Sequence, residues 1–225
     1  MTDPTSADGP EATPTAPSRR ARTERVRMSG RERREQLVDV GRKLFAEKGF
    51  EAVTIEEIAA KAGVSKPVVY EHFGSKDGLY AVIVDREMNI LLGMISDSLT
   101  ARAPRALLEQ ATRALFDYIE TRADGFRVLV RDSPVSQSTG NFASLLRDVA
   151  SQVDERLAKE FDRNDFPSKF APMYANMFVG MVALTGQWWM DQRTFKKTEV
   201  AAHLVNLAWN GLTGMEAKPT LTRTP

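Results

Sequence analysis

Apolar residues recur along this chain with the period of a helix. Leu37, Val40, Leu44 and Phe45 stand at i, i+3, i+7 and i+8. They form one face of a helix that opens at Ser29 or Gly30 and runs to Lys48, with Gly49 where a helix commonly stops. A second, short helix begins at Thr54, whose hydroxyl caps it while Glu57, three residues on, completes a capping box. Ile55, Ile58, Ala59 and Ala62 are its buried stripe, and Gly63 ends it. Ser65 is the N-cap candidate of a third helix of about six residues, with Pro67 in its first turn, where proline is tolerated.

The helical period continues. A fourth helix opens at Ser75 and carries Leu79, Val82, Ile83, Leu91, Leu92, Ile95 and Leu99. Residues 104–123 place Leu107, Leu108, Ala111, Leu115, Phe116 and Ile119 on one face. Residues 125–131 are the one β-like run; a strand is open there, but a short buried helix fits an otherwise helical chain better. Residues 141–162, 167–192 and 198–213 complete the set. With no alternating strand pattern and no internal repeat, the fold class read from the chain is all-α.

Composition narrows this picture. In 225 residues, 42% hydrophobic and 27% charged, there is enough apolar material for a real core. The net charge is only +1, so any nucleic-acid site depends on local charge. Residues 1–28 read as a disordered tail whose first part is rich in Pro, Thr, Ala and Ser. From Arg19 to Arg34, eight arginines face two glutamates, giving either a solvated basic arm or one that touches DNA phosphate or minor groove. The absence of cysteine excludes disulfide scaffolds, zinc-finger chemistry and thiolate catalysis. No apolar run reaches the roughly 18–20 residues of a membrane span. No signal peptide is legible, and a soluble cytoplasmic protein is the simplest expectation. The two histidines, His72 and His203, lie far apart, and no Asp/Glu/His group stands at metal-ligand spacing. An enzyme is therefore not expected, nor a metal or cofactor.

Helix, tight glycine turn and short helix between Thr54 and Phe73 make a helix-turn-helix. Small Ala59 lets the two helices approach, and Val64 with Val68 or Val69 anchors the second against Ile58. Ser65, Lys66, Pro67, Tyr70 and Glu71, with His72 after them, are left to face a groove. They offer a long cation, a hydroxyl and a compact apolar ring for base edges. Tyr70, His72 and Lys76 have the character of phosphate clamps that set register. Glu71, an acid on that face, either points away or supports a neighbouring cation.

The run Thr-x-x-x-Ile-Ala-x-x-Ala-Gly-Val-Ser-x-x-x-x-Tyr-x-His-Phe-x-x-Lys-x-x-Leu resembles the DNA-binding signature of the tetracycline-repressor (TetR) family. The likeness covers roughly residues 31–80, including the Phe45-Ala46-Glu47-Lys48-Gly49-Phe50 end of the first helix. It implies DNA contacts at Thr54, Ser65, Lys66, Pro67, Tyr70, His72 and Lys76. It also implies a three-helix DNA-binding domain over residues 29–78, a helical ligand-binding and dimerisation domain over 79–216, and a tail at 217–225.

Family regulators pair through their last two helices, here 167–192 and 198–213. Small residues Gly180, Ala183, Thr185 and Gly186 would face Leu204, Leu207, Ala208 and Gly211; ordinary core is the alternative. The other helices would enclose an apolar effector. The expected walls are Phe116, Ile119, Phe126, Leu129, Val130, Phe142, Leu145, Val149, Met173, Met177, Phe178, Met181 and Trp188, although such a Met and aromatic stripe also serves as plain core. Leu115–Glu120, Asp124–Arg127 and Leu207–Leu212 are further similar to regulators of fatty-acid metabolism, some of which sense long-chain acyl-CoA. Arg127, Arg131 or Arg193 would then meet the CoA phosphates. The expected function is a dimeric regulator of a palindromic operator, a repressor as family members more commonly are, with an activator as the alternative. A DNA-binding regulator without a small-molecule sensor, answering to a protein partner, is the alternative.

Overall fold

The computed structural model describes residues 28–131, 142–216 and 219. The sequence-based readings on residues 1–27, and on most of the C-terminal tail, fall outside these residues. Every regular element among the described residues is helical: α1 Gly30–Lys48, α2 Ile55–Ala62, α3 Lys66–Phe73, α4 Lys76–Ser98, α5 Pro104–Thr121, α6 Ala123–Val130, α7 Phe142–Arg163, α8 Ala171–Gln192 and α9 Lys197–Thr213, with a 3-10 turn at Ser168–Phe170 before α8. The β-like run 125–131 is thus helical up to Val130. None of these helices is long and apolar enough to cross a membrane.

Local chemistry explains the starts and stops. Ser29 and Glu32 form a reciprocal capping box, with Glu32 N–H donating to Ser29 Oγ at 3.2 Å and Ser29 N–H to the Glu32 carboxylate at 2.7 Å. At α2 the expected box is only half made. Thr54 Oγ1 accepts from Glu57 N–H, but the Glu57 carboxylate turns to Lys48 Nζ at 2.5 Å, because a cation in reach outcompetes a backbone amide. Ser65 has N-cap backbone geometry without a side-chain cap, and α3 is eight residues long, longer than expected. Gly63 makes the turn between α2 and α3 with φ +67° and ψ 34°, a conformation that disfavours a side chain.

The N-terminal head is three helices around one apolar knot of Leu37, Leu44, Phe45, Ile58 and Val69, all nearly inaccessible. Of the valines considered as anchors, Val69 is the one fully buried. Helix α4 is continuous from the head into the body, so the expected boundary at residue 78 falls inside its first turn. Helix α1 packs on α4 and α6, α5 packs on α4, α8 and α9, and α7 packs chiefly along α8. The head is therefore held to the body by α4 through the chain and by the α1–α6 contact across space.

Candidate nucleic-acid interface

Helix α3 has two unlike sides. Val69 is fully buried against the head, whereas Ser65, Lys66, Pro67, Tyr70 and Glu71 are exposed, Tyr70 by 48%. Tyr70 is therefore a ring in solvent and not a packing residue. The far end of α3 is fixed from α1. Arg34 donates to the His72 carbonyl at 2.8 Å and lies 4.6 Å over the Phe73 ring, while Gln36 donates to the Ala62 carbonyl at 3.1 Å and so holds the end of α2. A cation over an aromatic ring contributes about 0.5–1 kcal/mol at such a partly open site. These bonds satisfy helix-end carbonyls and set the pitch of α3 against α1.

The cations on this face are already engaged. Lys66 Nζ is paired with the Glu56 carboxylate of α2, and that bond holds Glu56 below the ordinary carboxylate range. Lys76 donates to the Phe50 carbonyl at 3.0 Å and sits 4.2 Å over the Phe50 ring. Thr54 is exposed at the N-cap of α2, and His72 is half-buried beside Phe73. The seven residues read from the sequence thus lie on α3 or at the adjoining starts of α2 and α4. Lys76 is stiffened by the loop after α1, and Lys66 must exchange Glu56 for any anionic partner.

The surface can place a short helix, a hydroxyl, a phenol and two cations against a polyanion, and comparison with known proteins gives that geometry its context. The family described as "Bacterial regulatory proteins, tetR family" matches residues 37–83, and "Tetracyclin repressor-like, C-terminal domain" matches residues 104–211. The HTH-type transcriptional activator FasR of Mycolicibacterium smegmatis is 33% identical over 193 residues, 80% of this chain and 83% of that protein. The chain belongs to the tetR family. The HTH-type transcriptional repressor AcnR of Corynebacterium glutamicum is 25% identical over 131 residues, 58% of this chain and 65% of the relative. Two solved structures share the fold. A TetR-like regulator from Rhodococcus sp. RHA1 has a TM-score of 0.72 at 24% identity, covering 84% of this chain and all of that one. The fatty acid degradation regulator FadR of Bacillus halodurans has a TM-score of 0.65 at 17% identity, covering 78% and 94%.

In the body of this tetR-family chain, the residues expected to wall an effector site divide into two sets. Phe116, Ile119, Phe126, Leu129 and Leu145 are buried in the core, with Phe116 packed 5.2 Å from Trp189. Met173, Met177 and Trp188 point the other way, 45–53% exposed on the outer side of α8. The correction has a simple cause. The inner side of α8 is Ala171, Ala175, Ala183, Gly186, Trp189 and Met190, and the i, i+4 methionine stripe lies opposite it. Phe178 is half-buried, Met181 lines an outer groove with Trp188, and the side chain of Phe142 lies outside the described residues.

The small residues of α8 divide: Gly180 has open space around it and Thr185 lines the outer groove, whereas Ala183 and Gly186 face the chain's own core. A Cβ on Gly186 would stand 2.7 Å from Ile119 Cδ1, so this glycine, with buried Ala183, lets α8 approach α5 of its own chain. The basic residues expected at an effector's mouth are scattered. Arg127 pairs with Asp124 at 3.5 Å, Arg131 lies beside Gly49 at the end of α1, and Arg193 stacks 4.1 Å over Trp189 and donates to the Ile119 carbonyl.

One feature of the head–body seam was missed in the sequence. Glu87 of α4 is 1% exposed. Arg122 grips it with two bonds, Nε to Oε2 at 2.9 Å and Nη2 to Oε1 at 2.6 Å, and Tyr118 Oη donates to Oε2 at 2.9 Å. Burial works to raise the Glu87 carboxyl. The Arg122 and Tyr118 hydrogen bonds and the charges of Arg122 and Arg42 outweigh it, leaving the group below its ordinary range. Burial and the adjacent carboxylate push the Tyr118 phenol upward. Arg42 of α1 reaches in from the head, 3.7 Å from Glu87 Oε1 and 3.7 Å from Asp124 Oδ2 of α6. A signal existed: Ile83, Glu87 and Leu91 recur at i, i+4 and i+8, so Glu87 sits within an apolar stripe, and a buried charge requires a partner.

Proposed function

We infer that this transcriptional regulator acts as a homodimer, lays its two α3 helices in successive major grooves of a palindromic operator, and changes affinity when an apolar small molecule enters the body. The carrying observation is the polarity of α3: one fully buried valine fixes it, and Ser65, Lys66, Pro67 and Tyr70 stand out together in solvent. In this reading Lys66 and Ser65 serve base edges, and Thr54, Tyr70, His72 and Lys76 serve phosphates. A dimer spaces the two helices about 34–36 Å apart, one turn of duplex.

The dimer surface is the outer side of α8 and α9. Met173, Met177, Leu184, Trp188 and Leu207 on these helices, with Phe195 of the link between them, are 45–67% exposed, and a groove of about 610 Å³ runs between Trp188, Phe195, His203 and Leu207. Large apolar side chains gathered on one exposed face mark an interface, and tetR-family regulators pair. The helices are those expected from the sequence, and Leu207 is among the residues expected; Ala183, Gly186 and Ala208 are buried within the chain, whereas Gly180 and Gly211 stay open beside this face.

For the effector, a long-chain acyl-CoA is the first class to test. Its support is the fatty-acid resemblance of 115–120, 124–127 and 207–212, together with the shared fold of the fatty acid degradation regulator. The sign of regulation has a second reading: FasR, with 33% identity, is an activator, so ligand-controlled activation stands beside repression. The experiment is a titration of the purified chain onto labelled DNA from upstream of its own gene, with scrambled competitor, repeated with oleoyl-CoA. Selective binding that oleoyl-CoA weakens supports both parts. Selective binding it leaves unchanged refutes the acyl-CoA assignment. Binding indifferent to sequence, there and with DNA selected from a random library, refutes the operator reading.

A further inference from the structure

Arg42 is held incompletely, and its position makes that incompleteness functional. Its guanidinium stands 3.6 Å from Asp39, 3.7 Å from Glu87 and 3.7 Å from Asp124. A charge-assisted hydrogen bond closes at about 2.7–2.9 Å. Its Nε is buried without a hydrogen-bond partner, although buried polar groups are almost always paired. A purely structural arginine among three carboxylates would have closed at least one of these contacts.

The three acids differ in what they are fixed to. Asp39 lies on Arg42's own helix. Glu87 is a post fixed on α4, where Arg122 grips it with two bonds and Tyr118 with one. Asp124 rides in the first turn of α6. A displacement of α6 toward α1 by about 1 Å brings Asp124 to bonding distance from Arg42; the opposite displacement releases it.

We propose that Arg42 is a positioning residue through which the body sets the orientation of the DNA-reading head, by closing or opening its contact with Asp124, beside the fixed Glu87, as α6 moves against α1. This deepens the regulator reading and rests on it for its consequence at DNA. An effector, or the operator itself, shifts the balance only by favouring one arrangement of the contact over the other. The coupling thus runs across space from α6 to α1, in addition to the covalent path along α4.

The chain's lack of cysteine permits a direct test in the full-length protein. Cysteines introduced by Ala60→Cys on the exposed side of α2 and Arg113→Cys on the exposed side of α5 take spin labels, and the labelled chain is diluted into unlabelled chain. Pulsed EPR then reads the head-to-body distance with Arg42 intact and in R42Q, R42K, D124N and R42Q/D124N backgrounds. The distribution is expected to broaden in each single variant. R42K should behave like R42Q, because one ammonium cannot span Glu87 and Asp124. Affinity for DNA selected by the full chain from a random library should fall roughly ten-fold in R42Q, within the usual range of coupling between sites. Affinity for random-sequence DNA should hold. The double variant should be no worse than the worse single one, the mark of a shared contact.

An unchanged distribution in R42Q and D124N overturns the proposal, as do additive losses of operator affinity or a wild-type distribution in R42K. If R42Q fails to fold, D124N alone decides by the same distance, since Asp124 is 36% exposed and its loss is tolerable. A chain that selects no DNA sequence would sink the regulator reading, while the distance measurement would still decide the role of Arg42.

Discussion

Two glycine-to-alanine substitutions in helices should move stability in opposite directions. Alanine exceeds glycine in helix propensity by about 0.8–1.0 kcal/mol, so propensity alone favours both changes, Gly125 somewhat less because it lies in a first turn. At Gly93 in α4 a Cβ meets nothing within 4 Å. Gly93→Ala should therefore raise the melting temperature by about 2–4 °C, the shift that 1 kcal/mol gives a chain of this size. At Gly125 the same Cβ would lie 2.2 Å from Glu87 Oε2, 2.6 Å from its Cδ and 2.8 Å from Tyr118 Oη. The carboxylate cannot retreat without losing bonds of 2.6–2.9 Å to Arg122 and Tyr118. Overpacking costs about 1–3 kcal/mol, and one lost bond to a charged group about 1.5–3 kcal/mol. Subtracting the propensity gain leaves a net loss of about 3 kcal/mol, or about 6–12 °C. Thermal melts followed by circular dichroism, with urea titrations to check that cooperativity is unchanged, measure both. A Gly125→Ala variant melting at or above the wild-type temperature would refute the picture of a rigid carboxylate post.

Further expectations concern pH, DNA and assembly. Because Glu87 titrates below the ordinary carboxylate range when folded, its contribution is complete above about pH 4.3 and disappears as pH falls through the folded value. Glu87→Gln should therefore flatten the acid limb of stability against pH in urea titrations, and an unaltered slope between about pH 5 and 3 would contradict this. Lys66→Ala should relax sequence preference by about 1–3 kcal/mol at one base pair, whereas Tyr70→Phe should weaken operator and random DNA alike, both read by competition binding. Glu56→Gln should strengthen binding to random DNA a few-fold, since it removes an anion beside the groove; an ion pair as exposed as Glu56–Lys66 is screened by solvent and contributes little to folding, so stability should hold. Leu207→Asp should weaken the dimer at least roughly 100-fold, about 3 kcal/mol, as seen by light scattering across a dilution series.

The head was legible because its signals are local. Capping serines and threonines, glycines just past helix ends and an apolar residue every three or four positions fix α1 to α4 to within a residue or two. The body was legible as helices but not as a site. Met173, Met177 and Met181 recur every four residues, which says that they share a face of α8. It does not say which face, since both sides of that helix carry apolar residues. Ala175, Ala183 and Gly186 face inward, and at Gly186 it is Ile119 and Leu115 of α5 that come close, a tertiary fact with no trace in the spacing. The same limit applied to Gly186, whose smallness serves Leu115 and Ile119 of its own chain. Arg34, read from the sequence as the end of a basic arm, lies instead within α1 and holds the end of α3, and Gln36, which holds the end of α2, gave no signal beyond belonging to a polar face. Glu87 did give one, as an acid inside the stripe Ile83–Leu91, and identifying its partners required the fold.

The seam between head and body combines two kinds of contact whose physics differ. Phe45 and Phe50 pack on Tyr80 of α4 with ring centres 5.1 and 5.0 Å apart, and the Tyr80 hydroxyl donates to the Val128 carbonyl of α6 at 3.3 Å. The burial of apolar area in this packing is non-directional, so a small rotation of the head changes it less than it changes an ion pair's bond lengths. The cluster of Glu87, Arg122, Tyr118, Arg42 and Asp124 is the reverse. Its net stabilisation is small once the desolvation of its charges is counted, but its bonds open or close within about 1 Å. An all-apolar seam of the same volume would fold at least as stably, and would leave the angle of α3 to be set by packing alone. Placing the ions beside the rings lets the rings keep the head attached while the ions choose among nearby orientations; in the proposed dimer, that choice would decide whether two α3 helices match successive grooves.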